Sequence, residues 1–299
     1  MPYGTTVLTD ELARRKRPIE VALTAGDVRF SLWLPTDRPK WPNYQRLSKR
    51  GEVYEPVMLA CLTRLLQKAA TPRFMDLGAY LGYYACYVSA WFGGSREVYA
   101  VESNPLYADA VRESARLNGF SNLRIFQVAL SDRIEPVNIH ELAVRHKGDP
   151  RGATTTLTLD QLCERERLRP TIIKMDVHGA EGKIVLGMRR VLAGVECILV
   201  EMHSLSWLRE YSPGITRTAM LDALEESGLT LYYMAGHADP VELGPDFQQL
   251  LREEAFYYRK LDQENRHLLL FDGHDKFVLG LRHHDIECVL GPSISPANA

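Results

Sequence analysis

Between residues 73 and 201, short apolar segments alternate with longer stretches of helical periodicity, and few architectures satisfy that alternation. Segments 73–78 (Arg73-Phe74-Met75-Asp76-Leu77-Gly78), 97–102, 123–128, 171–176 and 197–201 read as strands, and 137–140 as a weaker one. Helices are expected over 81–92, 105–117, 158–167 and 180–192, with Pro105 suited to a first helical turn and Gly194 to a helix end. Strands that are apolar on both faces must be covered on both. The sequence therefore predicts an α/β fold, a doubly wound and mostly parallel sheet with helices on both faces.

A helix over 55–67, ended by Thr71-Pro72, precedes this region. Residues 1–50 read as a small N-terminal extension: a short helix over 10–16, an alternating strand over 28–34, and a loop holding Pro35, Pro39 and Pro42. The main domain is expected over 51–285. Beyond the core strands it carries a helix over 216–227, a strand over 229–234, an insertion near 236–266 with a polar helix over 245–259, and final strands over 268–271 and 276–281. Residues 286–299 read as a loose C-terminal tail.

Composition excludes several alternatives. A chain of 299 residues with 45% hydrophobic side chains can bury a real core. With 36 Lys and Arg against 38 Asp and Glu, the net charge of −2 gives no field that would recruit nucleic acid or an anionic membrane. No apolar run approaches the ~18 residues needed to span a bilayer. The N-terminus sets Asp10 and Glu11 where a signal peptide would be apolar. Five scattered cysteines without a Cys-x-x-Cys predict reduced, mostly buried thiols and a cytoplasmic setting.

The chemistry is expected at the strand ends. Asp76-Leu77-Gly78-Ala79-Tyr80-Leu81-Gly82 stands between a strand and its helix, on the sheet edge where ligands bind and glycines admit them closely. Its Gly-x-x-x-Gly lacks the third glycine of a dinucleotide fingerprint, which counts against an NAD-dependent oxidoreductase. Glu102, 26 residues after Asp76, ends the next strand where a carboxylate can accept both hydroxyls of a ribose. Turn glycines and a solvated glutamate are the plainer alternative. Asp176-Val177-His178 and Glu201-Met202-His203 end two further strands, and a spacing of two sets each carboxylate and its histidine on one face while the strand stays extended.

In combination these segments resemble the FkbM family of S-adenosylmethionine-dependent methyltransferases over roughly residues 52–282. The resemblance runs through Tyr54-Glu55, the Met75 to Tyr84 segment, Val101-Glu102-Ser103-Asn104-Pro105, Val128-Ala129-Leu130-Ser131-Asp132 and Thr156 to Leu162. Its most specific parts are Ile173-Lys174-Met175-Asp176-Val177-His178-Gly179-Ala180-Glu181 and Ile198-Leu199-Val200-Glu201-Met202-His203. It implies a Rossmann-like class I methyltransferase sheet and S-adenosylmethionine as cofactor, held by Glu55, Asp76, Gly78, Tyr80, Gly82, Glu102, Asn104, Ala129, Ser131 and Asp176. The chain departs from the family at Tyr80, where Asn is usual, and at His178, where Glu is usual.

Methyl transfer from a sulfonium is an in-line displacement, so such an enzyme must align the acceptor and remove its proton. His178 or His203 is the expected base, with Asp176 or Glu201 orienting it. The same carboxylates, Asp176 and Glu201, would be the ligands of a divalent metal if one were needed, although imidazoles suit softer metals than Mg²⁺, and none is expected as a resident cofactor. The resemblance implies O-methylation of a small hydroxylated acceptor, a sugar or a polyketide-like natural product. An N-methyltransferase of the same fold and an inactive binding or scaffold protein are the alternatives. No nucleic-acid or membrane partner is expected, and a homo-oligomer is left open. Arg14 to Arg17, His283-His284 and the pairs Tyr232-Tyr233 and Tyr257-Tyr258 read as surface or packing residues, and Trp33, Trp41 and Trp207 as core or linker packing, with the lining of an acceptor groove as the alternative for all three.

Overall fold

The computed structural model describes residues 19–35, 49, 53–138, 153–234, 256–262, 264–269, 276–283 and 285–293. The expected helix over 10–16, most of the proline-rich loop and the insertion from 236 to 255 lie outside these residues.

Strands β1 (Ile19–Ala25) and β2 (Val28–Leu34) form an antiparallel hairpin turned at Gly26. After α1 (Pro56–Lys68) the chain runs through β3 (Phe74–Leu77), α2 (Tyr83–Phe92), β4 (Val98–Glu102), α3 (Pro105–Asn118) and β5 (Leu123–Gln127). A small antiparallel pair, β6 (Pro136–Asn138) and β7 (Ala153–Thr155), precedes α4 (Leu159–Glu166), β8 (Ile172–Met175), α5 (Glu181–Leu186), α6 (Arg189–Leu192) and β9 (Cys197–Met202). The last part holds α7 (Leu205–Tyr211), α8 (Arg217–Glu226), β10 (Thr230–Met234), β11 (Tyr258–Lys260), a 3-10 turn (Arg266–Leu269), β12 (Lys276–Leu281) and α9 (Ile286–Leu290).

Among the described residues, eight strands make the main sheet in the order β11-β10-β12-β9-β8-β3-β4-β5. The run from β9 to β5 is parallel, and β12 enters antiparallel between β9 and β10. Alternation along the strands divides the core. Phe74, Val98, Ala100, Ile172 and Leu199 face the layer of α1, α2, α3 and the hairpin, while Met75, Leu77, Tyr99, Val101, Ile173 and Val200 face the layer of α4, α5 and α8. Both faces of the sheet are buried, as the unbroken apolar segments require.

Helix ends follow local chemistry. The Asn104 side chain caps α3, Pro105 opens it, and Gly119 closes it at φ 68°. Thr158 and Gln161 form a reciprocal capping box on α4.

Several segments differ from the sequence expectation. The helix expected over 180–192 breaks at Gly187, where a Cβ would stand 2.2 Å from the Ser131 carbonyl oxygen. Asp160 then accepts the amides of Arg190 and Val191 and restarts the helix as α6. Residues 258–260 are strand β11 rather than the end of a helix, because the edge of β10 is free to pair. Of the strand expected over 268–271, residues 268 and 269 belong to the 3-10 turn, which follows a turn closed by Asp262 on the amides of Glu264 and Asn265, and 270 and 271 lie outside the described residues. The start of the tail is helical: Asp285 caps α9, whose Ile286, Val289 and Leu290 join the core. The hairpin packs on α2 and α3, with Asn118 bonded to both the amide and the carbonyl of Ser31. All five cysteines are free, and four are buried.

Candidate active site

Strand β3 lies beside both β4 and β8, so the chain leaves it in opposite directions and opens a crevice at the carboxyl ends of the strands. Gly78 sits at that point with φ 81°, and a Cβ there would stand 1.8 Å from the Asp176 carbonyl oxygen. Only glycine lets the two strand ends approach this closely. Tyr80 follows at φ 49°, with its side chain 37% exposed and its ring edge-on to Tyr107 at 4.6 Å. Gly82, at φ 83°, precedes α2 and packs against Val111.

Glu102 holds this turn. Its Oε2 accepts the Tyr80 amide at 2.8 Å, and its Oε1 accepts the Asn104 amide at 2.7 Å. Burial pushes its carboxyl up to about 7, although both amides pull the other way.

Beside it lies a buried charge network. Lys174 Nζ is 3.2 Å from Asp176 Oδ2 and 3.9 Å from Asp76 Oδ1, and stands 4.8 Å over the ring of Tyr84. The Tyr84 hydroxyl donates to Glu55 Oε2 at 2.5 Å. Both oxygens of Asp76 are buried without a hydrogen-bond partner, and burial raises its carboxyl to about 6 against the opposing pull of Lys174. Burial lowers the ammonium of Lys174, but Asp176 and Asp76 more than offset this and keep it charged. For Asp176 burial is likewise outweighed, by Lys174 and then by the two histidines, so its carboxyl is held low. The neighbouring Glu201 is pushed up, first by burial and then by the charge of Asp176.

The histidines complete the site. His203 is buried; its Nδ1 donates to Glu181 Oε1 at 2.7 Å, and its Nε2 lies 3.6 Å from Asp176 Oδ1. Burial disfavours its cation, yet Glu181 and then Asp176 overcome this and raise it to about 9. His178 is exposed, with φ 54° and its Nδ1 3.8 Å from the same Asp176 Oδ1, and burial of part of its ring lowers it. The two imidazoles lie 4.7 Å apart, and the Trp207 indole is stacked on His203 at 5.2 Å with His178 at 5.3 Å. Asp176, His178 and His203 bring three donor atoms within 4.8 Å of one another, the spacing of a metal-binding group. That set includes both histidines and excludes Glu201.

The residues expected from sequence are distributed as follows. Glu55, Asp76, Gly78, Tyr80, Gly82, Glu102 and Asp176 gather around the crevice through the contacts above. The Asn104 side chain is spent on capping α3, with its oxygen accepting the Leu106 amide. The Ala129 carbonyl accepts the Leu157 amide, and the Ser131 hydroxyl donates to Asp132 and Glu135. Strand β8 ends at Met175, so His178 reaches Asp176 through a left-handed turn and not along an extended strand. His283 is exposed, and the tyrosine pairs pack edge-on across the β10–β11 edge.

Glu181, Lys174, Tyr84 and Trp207 were given no settled role by sequence reasoning. Lys174 did carry a signal, since a lysine inside an apolar strand must be paired. Arg217, also unforeseen and buried, donates to the carbonyls of His203 and Leu269 and ties the end of β9 to the 3-10 turn.

The crevice fits a cationic nucleoside donor. Glu102 presents a buried carboxylate at the ribose position of such folds, and the oxygens of Asp76, which accept no hydrogen bond, suit a group that brings donors and positive charge. A parallel sheet with β12 inserted antiparallel near its edge, and this crevice at its switch point, define a class I S-adenosylmethionine-dependent methyltransferase. Residues 76–228, just over half of the chain, match the methyltransferase FkbM domain, and the protein belongs to that family.

The hexuronic acid methyltransferase AglP of Haloferax volcanii is 28% identical over 137 residues, covering 43% of this chain and 55% of that protein. The chain thus spans little more than half the length of the curated relative it matches. Among solved structures, a SAM-dependent methyltransferase from Agrobacterium tumefaciens aligns with a TM-score of 0.43 at 11% identity, over 90% of this chain and 72% of that one. Aeropyrum pernix fibrillarin, solved with natively bound S-adenosyl-L-methionine, aligns at 0.40 and 15%, over 75% and 74%. At these scores it is the strand order that carries the fold. No helix among the described residues is long and apolar enough to cross a membrane.

Proposed function

We propose that the protein methylates a hydroxyl oxygen of a small acceptor, and that the acceptor is a sugar. One observation carries this reading: the donor crevice around Asp76, Gly78 and Glu102 adjoins the Asp176–His178–His203 cluster across the β3–β8 gap. Glu102 would take the ribose hydroxyls, and Asp76 the positively charged amino acid end of the donor. When bound, the donor supplies a methyl carbon on a sulfonium, whose C–S bond breaks as the acceptor oxygen bonds to that carbon. His178, the exposed member of the cluster, takes the proton of the acceptor hydroxyl. Asp176 orients it, and His203, locked by Glu181, supports Asp176 from the buried side.

The sugar assignment is supported by the activity named for the Haloferax volcanii relative. It is also supported by Trp207, whose flat indole beside His178 suits the apolar face of a pyranose. This reading sets the protein in a reducing compartment, the cytoplasm, in keeping with five free cysteines.

Calorimetry with S-adenosylhomocysteine, followed by transfer of labelled methyl to uronic acids, neutral hexoses and amines, tests the proposal. Label on sugar oxygen is expected. Label on amines alone would overturn the O-methylation, and absence of product binding would overturn the donor.

A further inference from the structure

The Asp176–His178–His203 cluster has features that proton transfer alone leaves unexplained. Asp176 Oδ1 is buried and accepts no hydrogen bond, yet two imidazole nitrogens lie at 3.6 and 3.8 Å from it, too far to donate. An orphan oxygen with two imidazole nitrogens just beyond hydrogen-bond reach is a donor set still lacking a partner, and a metal ion that displaces the ring protons would supply one.

The surroundings are arranged for a cation. Glu181 holds Nδ1 of His203, which fixes the ring and turns Nε2 toward Asp176. Lys174 occupies Asp176 Oδ2, so Oδ1 remains as a single-oxygen ligand. Around them the carboxyl groups of Glu55, Asp76 and Glu201 act on the ammonium of Lys174, and that of Glu181 on His203. Trp207 closes one side over both rings, while His178 leaves the other side exposed. His178 holds a left-handed conformation that non-glycine residues rarely adopt, and its ring is thereby kept against the cluster.

We propose that Asp176 Oδ1, His178 Nδ1 and His203 Nε2 form a binding site for a first-row divalent transition metal. Donors bound at about 2.1 Å in tetrahedral arrangement lie about 3.4 Å apart, so the pairs at 3.6 and 3.8 Å need only a small contraction. Two imidazoles and one carboxylate select Zn²⁺, Mn²⁺ or Co²⁺ over Mg²⁺ or Ca²⁺. Three protein ligands leave positions open toward the exposed side, where an acceptor oxygen would bind and its hydroxyl pKa would fall. With a metal bound both histidines would be ligands, so water would replace His178 as the acceptor of the hydroxyl proton. This catalytic role rests on the methyltransferase reading, whereas the site itself does not.

The test uses Co²⁺ as probe on the full chain stripped of metal by a chelator, with S-adenosylhomocysteine binding measured on the same samples. The expected result is one equivalent of Co²⁺ per chain with visible d–d absorption, displaced by Zn²⁺ and not by Mg²⁺. His178→Ala, at an exposed position, should weaken Co²⁺ binding at least tenfold while the product still binds. Equal Co²⁺ binding by the wild type and His178→Ala, or no d–d absorption at all, overturns the metal site. A d–d band without product binding overturns the methyltransferase reading and upholds the metal site, and the reverse result does the opposite.

Discussion

His203 Nδ1 lies 2.7 Å from Glu181 Oε1, and this contact decides which nitrogen of the ring meets Asp176. Glu181 opens α5 and also accepts the Gly179 amide, so the turn after β8 and the end of β9 are tied together through one buried carboxylate. Removing its charge should leave His203 in place but with its ring no longer fixed toward Asp176. Glu181→Gln is expected to lower kcat about 10- to 100-fold with S-adenosylhomocysteine affinity unaltered. Steady-state kinetics beside calorimetry checks this; a kcat equal to wild type would remove Glu181 from the mechanism.

Glu102 gives donor binding a pH dependence. Its carboxyl is raised from an ordinary value of 4.5 to about 7, chiefly by burial, so it is ionised in the folded protein only above that pH. The sign follows. For folding, its contribution is fully present below about 4.5 and lost as pH rises through about 7; for the donor, the ionised form is the better acceptor of ribose hydroxyls. Product affinity should therefore rise between pH 6 and 8, by up to about tenfold per unit below the Glu102 value. Calorimetry should find the trend flattened in Glu102→Gln, and an identical trend in that variant would assign it to another group.

Gly78 admits no side chain. A Cβ would overlap the Asp176 carbonyl, a backbone atom that cannot turn aside, and φ 81° adds its own penalty. Gly78→Ala should cost roughly 2–5 kcal/mol from strain and overpacking together and abolish product binding. Chemical denaturation measures the first effect and calorimetry the second; stability equal to wild type would mean that the two strand ends do not approach as described.

Lys174 pairs with the buried carboxylate of Asp76 and the half-buried one of Asp176. Lys174→Met keeps the apolar stem and strands Asp76 and Asp176, for an expected loss of about 3–5 kcal/mol. Adding Asp176→Asn should recover part of that loss, because the double variant no longer buries both charges. Thermal unfolding of the two single variants and the double variant provides the cycle, and strictly additive losses would show that the pair is not coupled.

Much of the fold was legible because burial leaves its mark on sequence. Ile172-Ile173 and Ile198-Leu199-Val200 are apolar at every position since both faces of their strands are covered, and Asn104-Pro105 with Gly119 marks both ends of α3. Crevice residues were legible where chemistry restricts the choice: Gly78 by its backbone, Glu102 and Asp176 by their place at strand ends. Less was visible where partners are distant in the chain. The break at Gly187 depends on Ser131, and Glu181, 22 residues from His203, was read as part of a helix start.

The sequence by itself determined most of the strands and helices of the parallel core, that the sheet is covered on both faces, and that acids and histidines stand at the strand ends. Periodicity and composition are local, and local rules suffice for these. Only the tertiary structure decided that β12 enters antiparallel between β9 and β10, that His203 pairs with Glu181 and not Glu201, and that Asp176 Oδ1 faces two imidazoles unpartnered. Those outcomes depend on distances of a few ångströms between segments far apart in the chain, which no sequence spacing encodes.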